Sequence, residues 1–142
     1  MVTELKSFRV QIDTDARLAA AVGGAARFLA DAAGMENNAV AQLQSSVVAA
    51  CVEIFRSLTG EHRHLQVKLT HFADRIEVAL AHRGDASPAV GLDSIAGFAA
   101  RPGGGEARAN PFAGFDRLQY ETHGGESVTR LTKYIGRGPS GI

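Results

Sequence analysis

Glu53 is the residue best placed to do chemistry. It lies in NNAVAQLQSSVVAACVEIFRSLT, residues 37–59, where Val40, Leu43, Val47, Cys51, Ile54, Phe55 and Leu58 recur at three- and four-residue steps. That period winds them into one apolar helical stripe, and at about 100° per residue Ala49 and Glu53 fall on the opposite side. A carboxylate there, flanked by small residues, either faces solvent or lines a cleft. His82 is a second candidate, as a pocket residue or as an exposed histidine at a turn, with Gly84 and Asp85 following it. His62 and His64 have ligand-like spacing, but no tetrahedral set forms around them and no metal is expected. Gly103, Gly104 and Gly105 would suit a phosphate cradle, yet no Lys-Ser/Thr pair follows as a P-loop requires, so they read as linker. Cys51 sits on the apolar stripe, where a buried thiol is inert.

The elements that must hold these residues follow from periodicity. Leu5 to Ile12 alternates and reads as a half-buried strand. Asp13, Thr14 and Asp15 offer N-cap oxygens for a helix over about residues 15–34. Gly23 and Gly24 weaken that helix by roughly 1 kcal/mol each relative to Ala, unless they permit close packing, and Gly34 supplies its stop. The central helix over about 37–59 ends at Gly60. Residues 65–70 and 76–80 alternate around the short connection Ala73-Asp74-Arg75, an antiparallel hairpin. From Gly84 to Gly114 the pattern is lost, with at most one short helix; a loop of that length is usually functional or disordered. Residues 118–122, a Gly124-Gly125 turn and residues 127–135 close the chain as a second hairpin, with a disordered tail over 137–142. Two amphipathic helices and one sheet bury best as a two-layer sandwich, helices on one sheet face.

Composition narrows the function classes. With 142 residues and 45% hydrophobic content, one domain over residues 1–136 is the simplest reading. Fifteen basic and fifteen acidic side chains cancel, so no net field favours nucleic acid or an anionic membrane. Arg56, Arg63 and Arg75 are too dispersed for a nucleic-acid patch. A single cysteine points to a reducing cytoplasm. No apolar run approaches the ~20 residues of a membrane span.

The order of elements and several motifs together resemble the anti-sigma-factor serine kinases, a bacterial branch of the GHKL ATPase superfamily with the Bergerat ATP-binding fold. Phe115-Asp116-Arg117-Leu118-Gln119-Tyr120 looks like the family's strand entry, and Ser127-Val128-Thr129-Arg130-Leu131-Thr132-Lys133-Tyr134-Ile135 like its closing strand. VVAACVEIFRS is similar to the N-box helix, and IEVALAHRGDASP to the strand and turn of the first glycine box. The likeness covers roughly residues 5–136. It implies an α/β (α+β) two-layer sandwich with a mixed, mostly antiparallel sheet, and a histidine-kinase-ATPase-like domain.

The departures bear on function. In the family's active kinases, the N-box Glu orients or deprotonates the attacking hydroxyl, and an Asn four residues later ligates magnesium. One alignment puts Ala49 and Glu53 at those positions; a second puts Glu53 and Ser57 there. Neither supplies the pair. His82 stands where the family's adenine-binding Asp belongs, Gly84 is retained, and Asp85 substitutes only if the turn shifts. The second, phosphate-binding glycine box has no clean counterpart; Gly91-Leu92 and Gly103-Gly104-Gly105 are the candidates. Phosphoryl transfer depends on positioning and a held metal, so the resemblance implies a degenerate kinase with a vestigial nucleotide cleft at Glu53, Ser57, His82, Gly84 and Asp85. It implies no resident cofactor, no catalytic residue and no direct nucleic-acid or membrane contact. It also implies a homodimer formed through the sheet edge and first helix. The function expected is transcription regulation by binding a sigma factor or an anti-anti-sigma protein. The alternative is an active serine protein kinase using ATP and magnesium, with Glu53 catalytic.

Overall fold

The structure is a computed structural model that describes residues 4–58, 63–83, 112 and 114–135. In chain order its elements are β1 (Glu4–Asp13), α1 (Ala16–Ala32), α2 (Asn37–Phe55), β2 (His64–Phe72), β3 (Arg75–Arg83), β4 (Arg117–His123) and β5 (Glu126–Tyr134). The fold is α+β, a five-stranded sheet with two helices.

Local chemistry sets each boundary. Asp15 caps α1, its Oδ1 accepting the Arg17 backbone N–H at 2.8 Å. Gly34, at φ 80°, ends the helix; its N–H and that of Met35 donate to the Asp31 and Ala30 carbonyls. The central helix stops at Phe55, short of the expected Thr59. Arg56, Ser57 and Leu58 donate their N–H groups to carbonyls three residues back, and the Ser57 hydroxyl donates to the Ile54 carbonyl at 2.9 Å. The tightened turn that results winds the chain out of the α-helix. Gly60 lies outside the described residues.

The sheet runs β1-β2-β3-β5-β4. Every pairing among the described strands is antiparallel, which corrects the expectation of a mixed sheet. Gly124 (φ 51°) and Gly125 (φ 88°) make the two-residue turn of the β4–β5 hairpin, a conformation whose two positive φ values match strand twist. Because β5 lies between β3 and β4, those two strands run in the same direction. Arg83, which ends β3, and Arg117, which begins β4, therefore lie at opposite ends of the sheet.

Helices and strands share one core. Val22, Leu29, Leu43, Val47, Cys51 and Ile54 join Leu65, Val67, Leu69, Val78, Leu80 and Leu131 in a single buried cluster. Phe55, expected on the core stripe, is only partly buried, since the helix ends with it. The two helices meet closely at Gly23, where a Cβ would fall 2.6 Å from Val48 Cγ2 and 3.2 Å from the Gln44 carbonyl oxygen. By length and composition the 19-residue α2 passes the test for a membrane-crossing helix, contrary to the sequence reading, a test that core helices also pass. Its stripe is packed into the core described above.

Candidate functional site

The expected cleft residues sit at the end of α2 and the end of β3. Glu53, in the last turn of the helix, keeps its side chain 25% exposed and holds Arg56 at 3.6 Å. Ala49 is exposed one turn earlier. Ser57 follows the helix, and its hydroxyl is occupied by the Ile54 carbonyl. The three lie off the buried stripe, as the helical period requires. Gly84 and Asp85, together with Gly91-Leu92 and the 103–105 glycines, lie outside the described residues. Among the described residues, no hydrogen bond or ion pair joins His82 to Glu53 or Ser57.

His82 is buried, 7% exposed, near the end of β3. Its neighbours follow from register, because residues directly opposite in an antiparallel ladder share a sheet side. His82 pairs with Ser127, which pairs with Thr122; Leu80 pairs with Thr129, which pairs with Tyr120; Val78 pairs with Leu131, which pairs with Leu118. This side is apolar in the Val78 row and polar in the His82 row. Ser127 and Thr129 are buried with it. His82 Nδ1 and the Tyr120 hydroxyl are buried and make no hydrogen bond. Burial lowers the imidazole pKa below 6.5, partly countered by the Arg83 backbone and Glu126, so the ring is neutral.

The sequence singles out His82 but not its row partners Ser127 and Thr122. Alternation in SVTRLTK is ambiguous, since Val128 looks like an inward residue; register puts Ser127, Thr129 and Leu131 on the side of His82 and Val78 instead. The strand-entry motif has a structural part to play: Phe115 is buried, and Asp116 Oδ2 accepts the Tyr134 backbone N–H at 2.8 Å. Phe112 is buried too, and Gly114 lies so close to α2 that a Cβ would collide with Ser46. The return from the long connection is thereby docked onto the helix that carries Glu53. Burial pushes the Cys51 thiol pKa up to about 12, which keeps it protonated and inert.

A magnesium–triphosphate needs oxygen ligands free to coordinate; of the expected cleft residues that are described, Glu53 is the one carboxylate, and it lies 3.6 Å from the Arg56 guanidinium. A neutral imidazole offers an amino group one acceptor nitrogen where a carboxylate offers two oxygens. Among the described residues, no group of three or more His, Cys, Asp or Glu side chains is arranged to hold a metal ion. No protein-family model matches the chain, and no curated protein matches it significantly.

Proposed function

We propose that this chain is a regulatory protein-binding module of the anti-sigma-factor kind, with a Bergerat-like scaffold and a nucleotide cleft that has lost its chemistry. In this reading both helices lie on the apolar side of the sheet. The cleft opens where that side turns polar, around His82, Glu53 and Ser57. The observation that carries the proposal is His82: buried and uncharged, at the position where the resembled kinases need a carboxylate. Glu53 adds to it. A carboxylate facing a phosphate at about 4 Å repels it by roughly 4 kcal/mol at an effective dielectric near 20, enough to erase ordinary nucleotide affinity.

Function then rests on a docking surface. The partner class is a sigma factor or an anti-anti-sigma protein, met in the cytoplasm, with a second copy bound along β1 and α1. Supporting the dimer are the edge of β1, unpaired among the described residues, and the exposed Phe8 and Phe28, 41% and 63% accessible. An active serine kinase is the rival, favoured by the unbonded His82 Nδ1 and Tyr120 hydroxyl, groups that a bound heterocycle would satisfy.

A thermal-shift titration with ATP and magnesium separates the two. Ligand at 100 times its dissociation constant stabilises by about 2.7 kcal/mol, worth roughly 10 °C in a domain of this size. The proposal expects no shift at millimolar nucleotide, and a rise of several degrees that needs magnesium would overturn it.

A further inference from the structure

We infer that the opposite side of the sheet carries a binding site for a free α-amino acid, in a cleft that shares only His82 with the nucleotide reading and whose proposed contacts do not use that residue. The cleft has a volume of about 220 Å³. It is lined by Gln11, His64, Gln66, Ala81, Arg83 and Glu126, together with His82. Register puts the first six on one side: Gln11 pairs with Gln66 and Gln66 with Ala81, His64 and Arg83 stand two residues along their strands, and Arg83 pairs with Glu126. Ala81 is the floor, a short side chain ringed by long polar ones. The volume matches roughly seven waters at ~30 Å³ each, the bulk of a small amino acid.

Elsewhere on the same side most acidic groups are paired, while Arg9 and Arg117 make no ion pair among the described residues. Arg75 holds Glu77 at 2.8 Å, Arg130 lies between Glu77 at 3.8 Å and Glu121 at 3.4 Å, and His123 meets Glu121 at 3.1 Å. At the cleft, Arg83 and Glu126 stand directly opposite in the ladder. Even so, among the described residues neither makes a side-chain hydrogen bond or ion pair, and neither do the Gln11 and Gln66 amides. Only His64 is engaged, by Asp13 at 3.0 Å.

A cation, an anion and two amides around one small hollow are complementary to a zwitterion. The ligand carboxylate takes the two-pronged guanidinium of Arg83, its ammonium takes the Glu126 carboxylate, and the two amides offer donors and acceptors to its side chain. A singly charged ligand would leave one of the two charges unmatched.

The test is a two-dimensional amide NMR titration of the full chain with L-glutamine, and separately with acetate and with methylammonium, each to about 20 mM, well past the ~1 mM of weak sites. Saturable shifts centred on the Ala81, Arg83 and Glu126 amides are expected with L-glutamine, and at least about tenfold weaker binding of either fragment. Arg83→Gln, at an exposed position, and Glu126→Gln, at a half-buried one, are each expected to weaken L-glutamine about tenfold or more while the remaining spectrum keeps its dispersion. Absence of saturable shifts at these amides overturns the proposal. So does acetate binding as well as L-glutamine, which would mean a simple anion site, or unchanged affinity in both variants.

Discussion

Gly23 and Gly24 are adjacent in α1 and predict opposite responses to the same substitution. Alanine in a helix interior is favoured over glycine by roughly 0.8–1 kcal/mol. At Gly24 nothing lies within 4 Å of the added Cβ, so Gly24→Ala should keep that whole gain. At Gly23 the added methyl falls 2.6 Å from Val48 Cγ2 and 3.2 Å from the Gln44 carbonyl oxygen, one of them backbone. Val48 is β-branched and partly buried, with little rotamer freedom in a helix, so relief requires the helices to part. Overpacking of this kind costs about 1–3 kcal/mol, which cancels or exceeds the propensity gain. Gly23→Ala should therefore be destabilising by up to ~2 kcal/mol and Gly24→Ala stabilising by ~1 kcal/mol. In a domain of this length that means melting temperatures moving roughly 3–5 °C per kcal/mol in opposite directions. Urea or thermal melts of the two variants decide it. Two stabilised proteins would refute the close helix contact, and with it the placement of α2 that positions Glu53.

Other consequences are as direct. His82 is held neutral by burial, so the stability it contributes is full above 6.5 and is lost as pH falls below that value toward the depressed folded pKa; melts across pH 5–8 should be less pH-dependent in His82→Gln, and identical slopes would contradict the burial. Gly114→Ala should cost about 1–3 kcal/mol by driving a methyl into Ser46. A double-mutant cycle with Ser46→Gly should recover much of that loss; additive effects would mean the return segment is not docked on α2. Cys51, with its thiol pKa at about 12, should resist a thiol-labelling disulfide reagent at pH 8 in the native protein and react at once in denaturant, whereas fast native labelling would place it at the surface.

Much of the fold could be read from the sequence because local period carries it. The stripe Val40, Leu43, Val47, Cys51, Ile54 and Leu58 is buried as its spacing requires, and both hairpins stand where alternation and turn residues put them. The Asp15 cap and the Gly34 stop were legible for the same reason. What the sequence left open depends on non-local pairing. Strand order and direction are set across the sheet, so the antiparallel β1–β2 pairing had no local signal. The inward side of β5 is fixed by its register with β3, which is why the polar row of His82, Ser127 and Thr122 was invisible. The cleft over Ala81 escaped notice because its residues come from four strands. Phe55 was misjudged on another ground: a stripe read from spacing presumes a helix that continues, and Ser57 ends it.

The central claim is that the scaffold persists without nucleotide chemistry, and isothermal titration calorimetry of the full chain with ATP and magnesium tests it most directly. The account predicts heats of dilution alone up to millimolar nucleotide, for the native sequence and for Glu53→Ala alike. Saturable, magnesium-dependent binding by the native sequence that is lost in Glu53→Ala would contradict it, and would make Glu53 a working ligand of an active kinase.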